Sequence, residues 1–127
     1  MNWLRGRRAA AAPRDVAERL TRRGLFRVDA ESASLSDRET VRRWLRELDS
    51  ERDQQVFVHR PWGTIAAVAD GRHPVAVVMS DGEHSWSAKP PGSIDGQDLT
   101  PEQVEHVVLN ALMSSTPPDW PEWRDLT

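Results

Sequence analysis

Apolar residues recur along this chain with two different spacings. Between residues 55 and 88 they form four short runs rich in β-branched and small side chains, and turns containing Gly or Pro separate the runs. Such turns reverse the chain tightly, so the stretch predicts an antiparallel meander. The predicted strands are Gln55–Arg60, Thr64–Ala69, Val75–Ser80 and His84–Ala88.

Before the meander, the apolar spacing is that of a helix. Ser36–Ser50 carries apolar residues at intervals of three and four, which places them on one helical face. Ser36 and Glu39 have the spacing of a capping box, in which two side chains satisfy free backbone N–H groups. The other face is rich in Arg and indicates either a solvated face or a nucleic-acid-binding helix. The acidic residues nearby favour the solvated face.

A second helix is predicted for Thr100–Ser114. Thr100 and Gln103 have capping-box spacing, and Pro101 suits the first helical position. The apolar residues of this segment form a wide stripe, so we expect the helix to cover the sheet. The loop Lys89–Asp98 leads into it. Three prolines after residue 116 predict that the C-terminal segment runs extended.

The N-terminal part is less regular. Arg14–Arg23 predicts a short helix, because Pro13 suits its first turn and Gly24 suits its end. Leu25–Val28 is expected to form an edge strand. Residues 1–13, rich in Arg and Ala, are expected to form a flexible tail.

These elements predict an α+β fold, with an antiparallel meander sheet of four to five strands covered by two main helices. Residues 14–127 are expected to form a single domain, which is long enough to enclose one core. The residues expected in that core are Val41, Leu45, Leu48, Val77, Trp86, Val104, Val108 and Leu112.

Composition and motifs argue against several kinds of binding site and catalytic site. The chain has no Cys, and it contains no Gly-rich phosphate-binding motif, no nucleophile-elbow motif and no paired-His metal motif. We therefore expect no cofactor, no metal, no catalytic residue and no small-molecule substrate. Two alternatives stay open at the turn Asp81–His84, where two carboxylates and an imidazole stand together: a metal site and an acid–base group.

Charge is distributed unevenly along the chain. Residues 1–27 carry a net charge of +6 and residues 81–127 a net charge of −7, although the whole chain carries only −3. The Arg-rich start lacks the apolar core of a signal peptide, and no apolar run reaches the roughly 18 residues that cross a bilayer. We expect a cytoplasmic protein without membrane contact, and an anionic contact of the N-terminal segment stays an alternative.

Taken in order, the segments resemble a known family. A helix beginning S-D-R-E and continuing V-R-R-W-L-R-E-L-D precedes the meander, and the helix L-T-P-E-Q-V-E-H-V-V-L-N-A-L follows it, before the ending P-P-D-W-P-E-W-R-D-L. This order is similar to the first family of immunity proteins from bacterial polymorphic-toxin systems, common in actinobacteria, over residues 25–126. The Arg- and Ala-rich start and the doubled Pro and Trp of the ending depart from the family pattern.

The resemblance implies stoichiometric inhibition of a cognate toxin. Such toxins are often nucleases or nucleic-acid deaminases with basic substrate grooves. A negative surface on the inhibitor imitates phosphate and speeds its association with the toxin. The acidic C-terminal part fits such a partner. The alternatives are a non-catalytic interaction domain with another partner, a nucleic-acid-binding module that uses the Arg-rich N-terminal part, and a small enzyme.

The expected interaction surface lies at one end of the meander. Alternate turns of a meander share an end, which places Trp62 beside Asp81 and Glu83, an aromatic anchor next to two carboxylates. The opposite end collects the turn at residues 70–74 and the start of the loop that follows the meander. The expected partner-binding residues are Trp62, Asp81, Glu83, His84, Asp95 and Asp98.

Overall fold

A computed structural model describes residues 15–48, 53–71, 74–94 and 96–126. These residues form one antiparallel sheet of seven strands, in the order β2-β1-β3-β4-β5-β6-β7, and two helices. In chain order the elements are β1 Val16–Arg22, β2 Val28–Ser34, α1 Arg38–Arg46, β3 Asp53–Arg60, β4 Gly63–Asp70, β5 Ala76–Ser80, β6 Ser85–Lys89, α2 Pro101–Ala111 and β7 Glu122–Asp125.

The α+β class and the central meander are confirmed. Strands β3 to β6 pair in sequence and antiparallel, because short turns join each strand to the next. The expected number of four to five strands was too low. A hairpin is added at one edge of the meander and β7 at the other, where it pairs with β6.

The predicted N-terminal helix is wrong, because its residues form β1. Val16 and Leu20 suit a helical face, but they also lie on one face of a strand, since their separation is even. Strand β1 pairs with β2 on one side and with β3 on the other, so hydrogen bonds on both edges outweigh a weak helical preference. The edge strand predicted for Leu25–Val28 instead begins at Val28, and the residues before it form the hairpin turn.

The two helix starts differ from each other in how well their sequences predict them. At α2, Thr100 accepts a hydrogen bond from the Gln103 N–H and Gln103 accepts one from the Thr100 N–H, which confirms the capping box. At α1 the cap is Asp37, whose carboxylate accepts from the Thr40 N–H. The capping box predicted for Ser36 and Glu39 is therefore wrong: the cap lies one residue later, without a reciprocal side-chain bond, and Ser36 bonds to the Ser34 side chain.

Both helices pack on the same face of the sheet and on each other. Six of the eight expected core residues are buried there, whereas Leu48 and Trp86 are half-buried and pack against the core. The opposite face carries a smaller apolar cluster of Leu20, Phe57, Ala66 and Val78. No helix within the described ranges is long and apolar enough to cross a membrane.

The sheet has two ends that carry different loops. At one end, the β3–β4 turn at residues 60–63 lies beside the β5–β6 turn at residues 81–84, and we call this the Trp62 end. At the other end lie the β1–β2 hairpin turn at residues 23–27 and the starts of β3 and α2, and we call this the hairpin end.

Candidate interaction surface at the Trp62 end

Two turns touch at the Trp62 end, as the meander predicted. Thr64 pairs with Ser80 across β4 and β5, so the chain enters and leaves the two turns side by side. A Cβ placed on Gly63 would lie 2.7 Å from the carbonyl oxygen of Ser80 and 3.6 Å from the Cα of Asp81. The backbones are therefore in direct contact, and only glycine permits this approach.

Trp62, in the β3–β4 turn, connects that turn to the end of helix α2. Its indole Nε1 donates a hydrogen bond to the Ser114 carbonyl oxygen at 3.1 Å, and its ring packs against the core. Arg60 from the same turn donates to the Ala111 carbonyl oxygen at 2.7 Å, where α2 leaves carbonyl groups without helical partners. Trp62 is thus half-buried and fixes the position of the turn.

The acidic turn after β5 is also held in one conformation. The Asp81 carboxylate accepts hydrogen bonds from the backbone N–H groups of His84 at 2.8 Å and of Glu83 at 2.9 Å. These bonds, that from His84 first, hold the pKa of Asp81 below its ordinary value, because they stabilise the charged form of the carboxylate. Asp81, Glu83 and His84 are all exposed, and the structure brings them together as the sequence predicted.

On the other side of Trp62 a polar groove runs between α2 and the segment that follows it. The groove has a volume of about 320 Å³ and is lined by His106, Asn110, Ser114, Thr116, Asp119 and Trp120. His106 and Trp120 meet edge to face at 5.7 Å, which fixes one wall. Since Ser114 accepts the Trp62 hydrogen bond, the acidic turn, Trp62 and the groove are neighbours along one surface.

Sequence reasoning missed this groove. Trp123, just after the segment that forms the groove, donates a hydrogen bond from its indole Nε1 to the Pro118 carbonyl oxygen at 3.0 Å. The signal available in the sequence was the polar series on the exposed side of α2, where His106 and Asn110 are four residues apart. That spacing puts both on one helical face, but it does not reveal which segment returns to face them.

The remaining expected site residues do not join this surface. Asp98 is exposed, and the Nζ atom of Lys89 lies 3.9 Å from its carboxylate. Lys89 pairs with Glu122 at the hairpin end of β6, so Asp98 belongs to the opposite end of the sheet from Trp62. Asp95 lies outside the described residues.

A buried polar network crosses the sheet on the face opposite the helices. Nε2 of His59 lies 3.1 Å from the Glu18 carboxylate, and Nδ1 of His59 lies 3.1 Å from the Thr64 hydroxyl. The imidazole ring also stacks on Phe57 at 5.7 Å. A carboxylate, an imidazole and a hydroxyl in series are the groups of a nucleophilic triad, but these three are almost fully enclosed and satisfy one another. They join β1, β3 and β4.

Among the described residues, no three His, Asp or Glu side chains are placed to share a metal ion. Comparison of the chain with known protein families, with curated proteins and with solved structures finds no match.

Proposed function

We propose that this chain is a non-catalytic binding domain, and specifically an immunity protein that neutralises a cognate toxin domain by stoichiometric binding in the cytoplasm. The observation that carries the proposal is the joined surface at the Trp62 end, where an ionised acidic turn and a polar groove flank a fixed tryptophan. Loops on a rigid scaffold are the usual location of binding residues.

The charge of this surface supports a basic partner. Backbone N–H groups stabilise the charged form of Asp81, whose carboxylate lies 3.9 Å from Nδ1 of His84. Glu83 next to it has no ion-pair partner among the described residues. Asp119 adds a third carboxylate from the groove. Negative charge at fixed positions attracts a protein with a basic cleft and accelerates its association with this chain. The substrate groove of a nuclease or a nucleic-acid deaminase is such a cleft.

The rigidity of the surface supports tight binding. The Asp81 turn is closed by its own side chain, and Trp62 and Arg60 bond to the end of α2. A surface that is ordered before binding loses little conformational entropy on association. In this proposal Trp62 positions the two contact regions, and its exposed edge contributes only part of the contact.

The proposal expects a toxin with a catalytic domain to be encoded beside this gene, and the experiment uses that neighbouring gene product. Titration calorimetry with its purified toxin domain should give one-to-one binding, and addition of this chain should abolish the toxin's activity. The double variant Asp81→Asn, Glu83→Gln keeps the turn, because the amide oxygen of Asn still accepts the two backbone hydrogen bonds. We expect it to slow association by about tenfold at low salt.

The matched control is Glu102→Gln, which removes an exposed carboxylate at the hairpin end. We expect its association rate to stay within about twofold of the unmodified chain, because Glu102 is a single charge at the opposite end of the sheet from the proposed contact. Equal rates for the unmodified chain and the acidic-turn variant would exclude this surface. A neighbour-encoded toxin that does not bind at all would contradict the proposed function itself.

A further inference from the structure

The hairpin end exposes two adjacent large apolar side chains. Leu25 is 85% exposed and Phe26 is 99% exposed, at the point where the β1–β2 hairpin projects from the sheet. Single exposed apolar residues are common on protein surfaces. Two of them side by side at a projecting turn form an anchor that a partner surface can enclose, and we call them the tip.

The tip is held in place by the arginines around it. The Arg23 N–H donates to the Arg27 carbonyl oxygen at 2.8 Å and closes the turn. Both guanidinium groups then donate to Asp29, at 2.9 Å from Arg23 and 3.2 Å from Arg27. Arg22 is anchored in the same way on Asp53 at 2.8 Å. The arginines therefore flank the tip in a fixed arrangement.

The same end of the molecule contains a groove of about 660 Å³ between the end of α1 and the start of α2. Apolar side chains of both helices and of the segment before β5 line it, together with two carboxylates and one guanidinium group. Its residues include Leu45, Leu48, Val75, Leu99, Val104, Arg46, Glu102 and Glu105. A volume of this size is within the range of sites that enclose small ligands, so it has room for two side chains.

The charges of the tip and the groove are complementary. Glu105 already binds Arg42 and Arg46, whereas exposed Glu102 has no ion-pair partner among the described residues. Arg27 shares Asp29 with Arg23, and 76% of its side chain is exposed, so it has N–H groups available for a further carboxylate. Arg46 also lines the groove and neutralises Glu105, so the unpaired charge there is that of Glu102. The chain therefore carries both halves of one contact: an apolar tip beside the Arg27 cation, and a groove with apolar walls beside the Glu102 carboxylate.

We propose that two copies of this chain associate through their hairpin ends, with Leu25 and Phe26 of each copy entering the groove of the other. A twofold axis uses each tip and each groove once, so the contact forms twice and assembly stops at a dimer. A lipid surface fits less well, because Asp29 and Asp53 offset much of the arginine charge that anionic lipid would need. The dimer leaves the Trp62 end uncovered and does not depend on the proposed function.

Sedimentation equilibrium of the full chain, at concentrations up to about 1 mM, tests the dimer. We expect a monomer–dimer equilibrium whose dissociation constant rises at least about tenfold in Phe26→Ser and in Leu25→Ser. The matched control is Leu126→Ser, the same substitution at a residue that is 57% exposed at the Trp62 end, and it should leave the constant unchanged. Circular dichroism should show that all three variants are folded.

Charge reversal tests whether the tip enters the groove. Arg27→Glu and Glu102→Arg should each weaken the dimer, and the chain that carries both substitutions should recover most of the lost affinity, since the pair is restored with opposite sign. A double variant as weak as the single variants would exclude the groove as the docking site.

Other outcomes overturn the proposal as a whole. An unmodified chain that is monomeric throughout the concentration range, a dimer that Leu25→Ser leaves unchanged, or assembly beyond two copies would each contradict it. Co-sedimentation with phosphatidylserine vesicles gives a further readout. Monomeric protein that binds those vesicles and loses binding in Phe26→Ser would assign the tip to a lipid surface instead of a second copy.

Discussion

The two ends of the sheet differ in how closely their glycines and their large apolar side chains are packed. Gly63 at the Trp62 end and Gly24 at the hairpin end have nearly the same φ, +151° and +148°. Gly63 is in contact with the next turn, whereas a Cβ on Gly24 would meet nothing within 4 Å. Trp62 is bonded to the end of α2, whereas Phe26 is almost fully exposed.

The two glycines show that a turn can require glycine for two reasons: the backbone conformation, and the lack of space for a side chain. Both turns need a backbone that L side chains rarely adopt, so both prefer glycine. Only the Trp62 end needs the absence of a side chain, because two turns and a helix end meet there. The turn at the Trp62 end therefore contributes to the packing of the fold, whereas the hairpin turn at residues 23–27 leaves open space around its glycine.

The largest expected effect comes from adding a methyl group to each glycine. Gly63→Ala combines backbone strain with a clash against the Ser80 carbonyl group, and we expect it to lower the free energy of unfolding by about 3 kcal/mol or more. Gly24→Ala should cost only the strain, about 1 kcal/mol. Urea denaturation of both variants measures the difference, and equal losses would show that the turn contact at Gly63 is unimportant.

Trp62 gives the next largest expected effect. Trp62→Ala removes a half-buried ring and leaves the Ser114 carbonyl without its donor, so we expect a loss of about 2–4 kcal/mol in the free energy of unfolding. Trp62→Phe keeps the ring packing and loses the hydrogen bond, which should cost about 1 kcal/mol. If Trp62→Ala were as stable as the unmodified chain, the indole would have to be an exposed anchor after all.

The acid dependence of two carboxylates sharpens the comparison. The pKa of Asp81 is lowered chiefly by backbone N–H groups, and the pKa of Asp29 chiefly by a hydrogen bond from Arg23. For both, the folded-state pKa lies below the unfolded one, so the stability they contribute is present above about pH 4 and is lost as the pH falls through the folded-state pKa.

Salt should distinguish these two carboxylates. An arginine ion pair at the surface is screened by added salt, whereas the backbone bonds of Asp81 depend little on it. We expect 1 M salt to move the pKa of Asp29 back towards its ordinary value more than that of Asp81, as followed by NMR titration of the carboxyl carbons. Equal movement of both would mean that the Asp81 turn is held by charge and not by its hydrogen bonds.

The smallest expected effect belongs to the tip. Phe26→Ser changes a side chain that makes almost no contact within one copy, so we expect the free energy of unfolding of the monomer to change by less than about 0.5 kcal/mol. Thermal unfolding of dilute protein measures this, with Phe57→Ser as the contrasting variant, since Phe57 is fully buried. A large loss in Phe26→Ser would show that the tip supports its own domain.

The meander and α2 could be predicted from the sequence because their signals are local. Short turns fix the pairing of neighbouring strands, and the capping box of Thr100 and Gln103 lies within four residues. The N-terminal hairpin could not, because β1 is a strand only through its pairing with β3 and β2, and β3 lies beyond α1 in the chain.

The candidate surface could also be predicted only in part. The meander placed Trp62 beside Asp81 and Glu83, since alternate turns share an end. The sequence pattern did not reveal that Trp62 is bonded to Ser114, nor that His106 faces a groove, because both depend on where the chain returns after α2. The sequence pattern also did not reveal that Phe26 is exposed, because this depends on where the β1–β2 hairpin turns.

The order of strands in the sheet has a consequence for how the chain folds. The four meander strands join partners that are close in sequence, whereas β1 must meet β3 across α1, and β7 must meet β6 across α2. Contacts between distant residues carry a larger entropic cost of loop closure, so they tend to form later. We expect this domain to assemble from its centre outwards, with the meander as the early template and both edge segments added last.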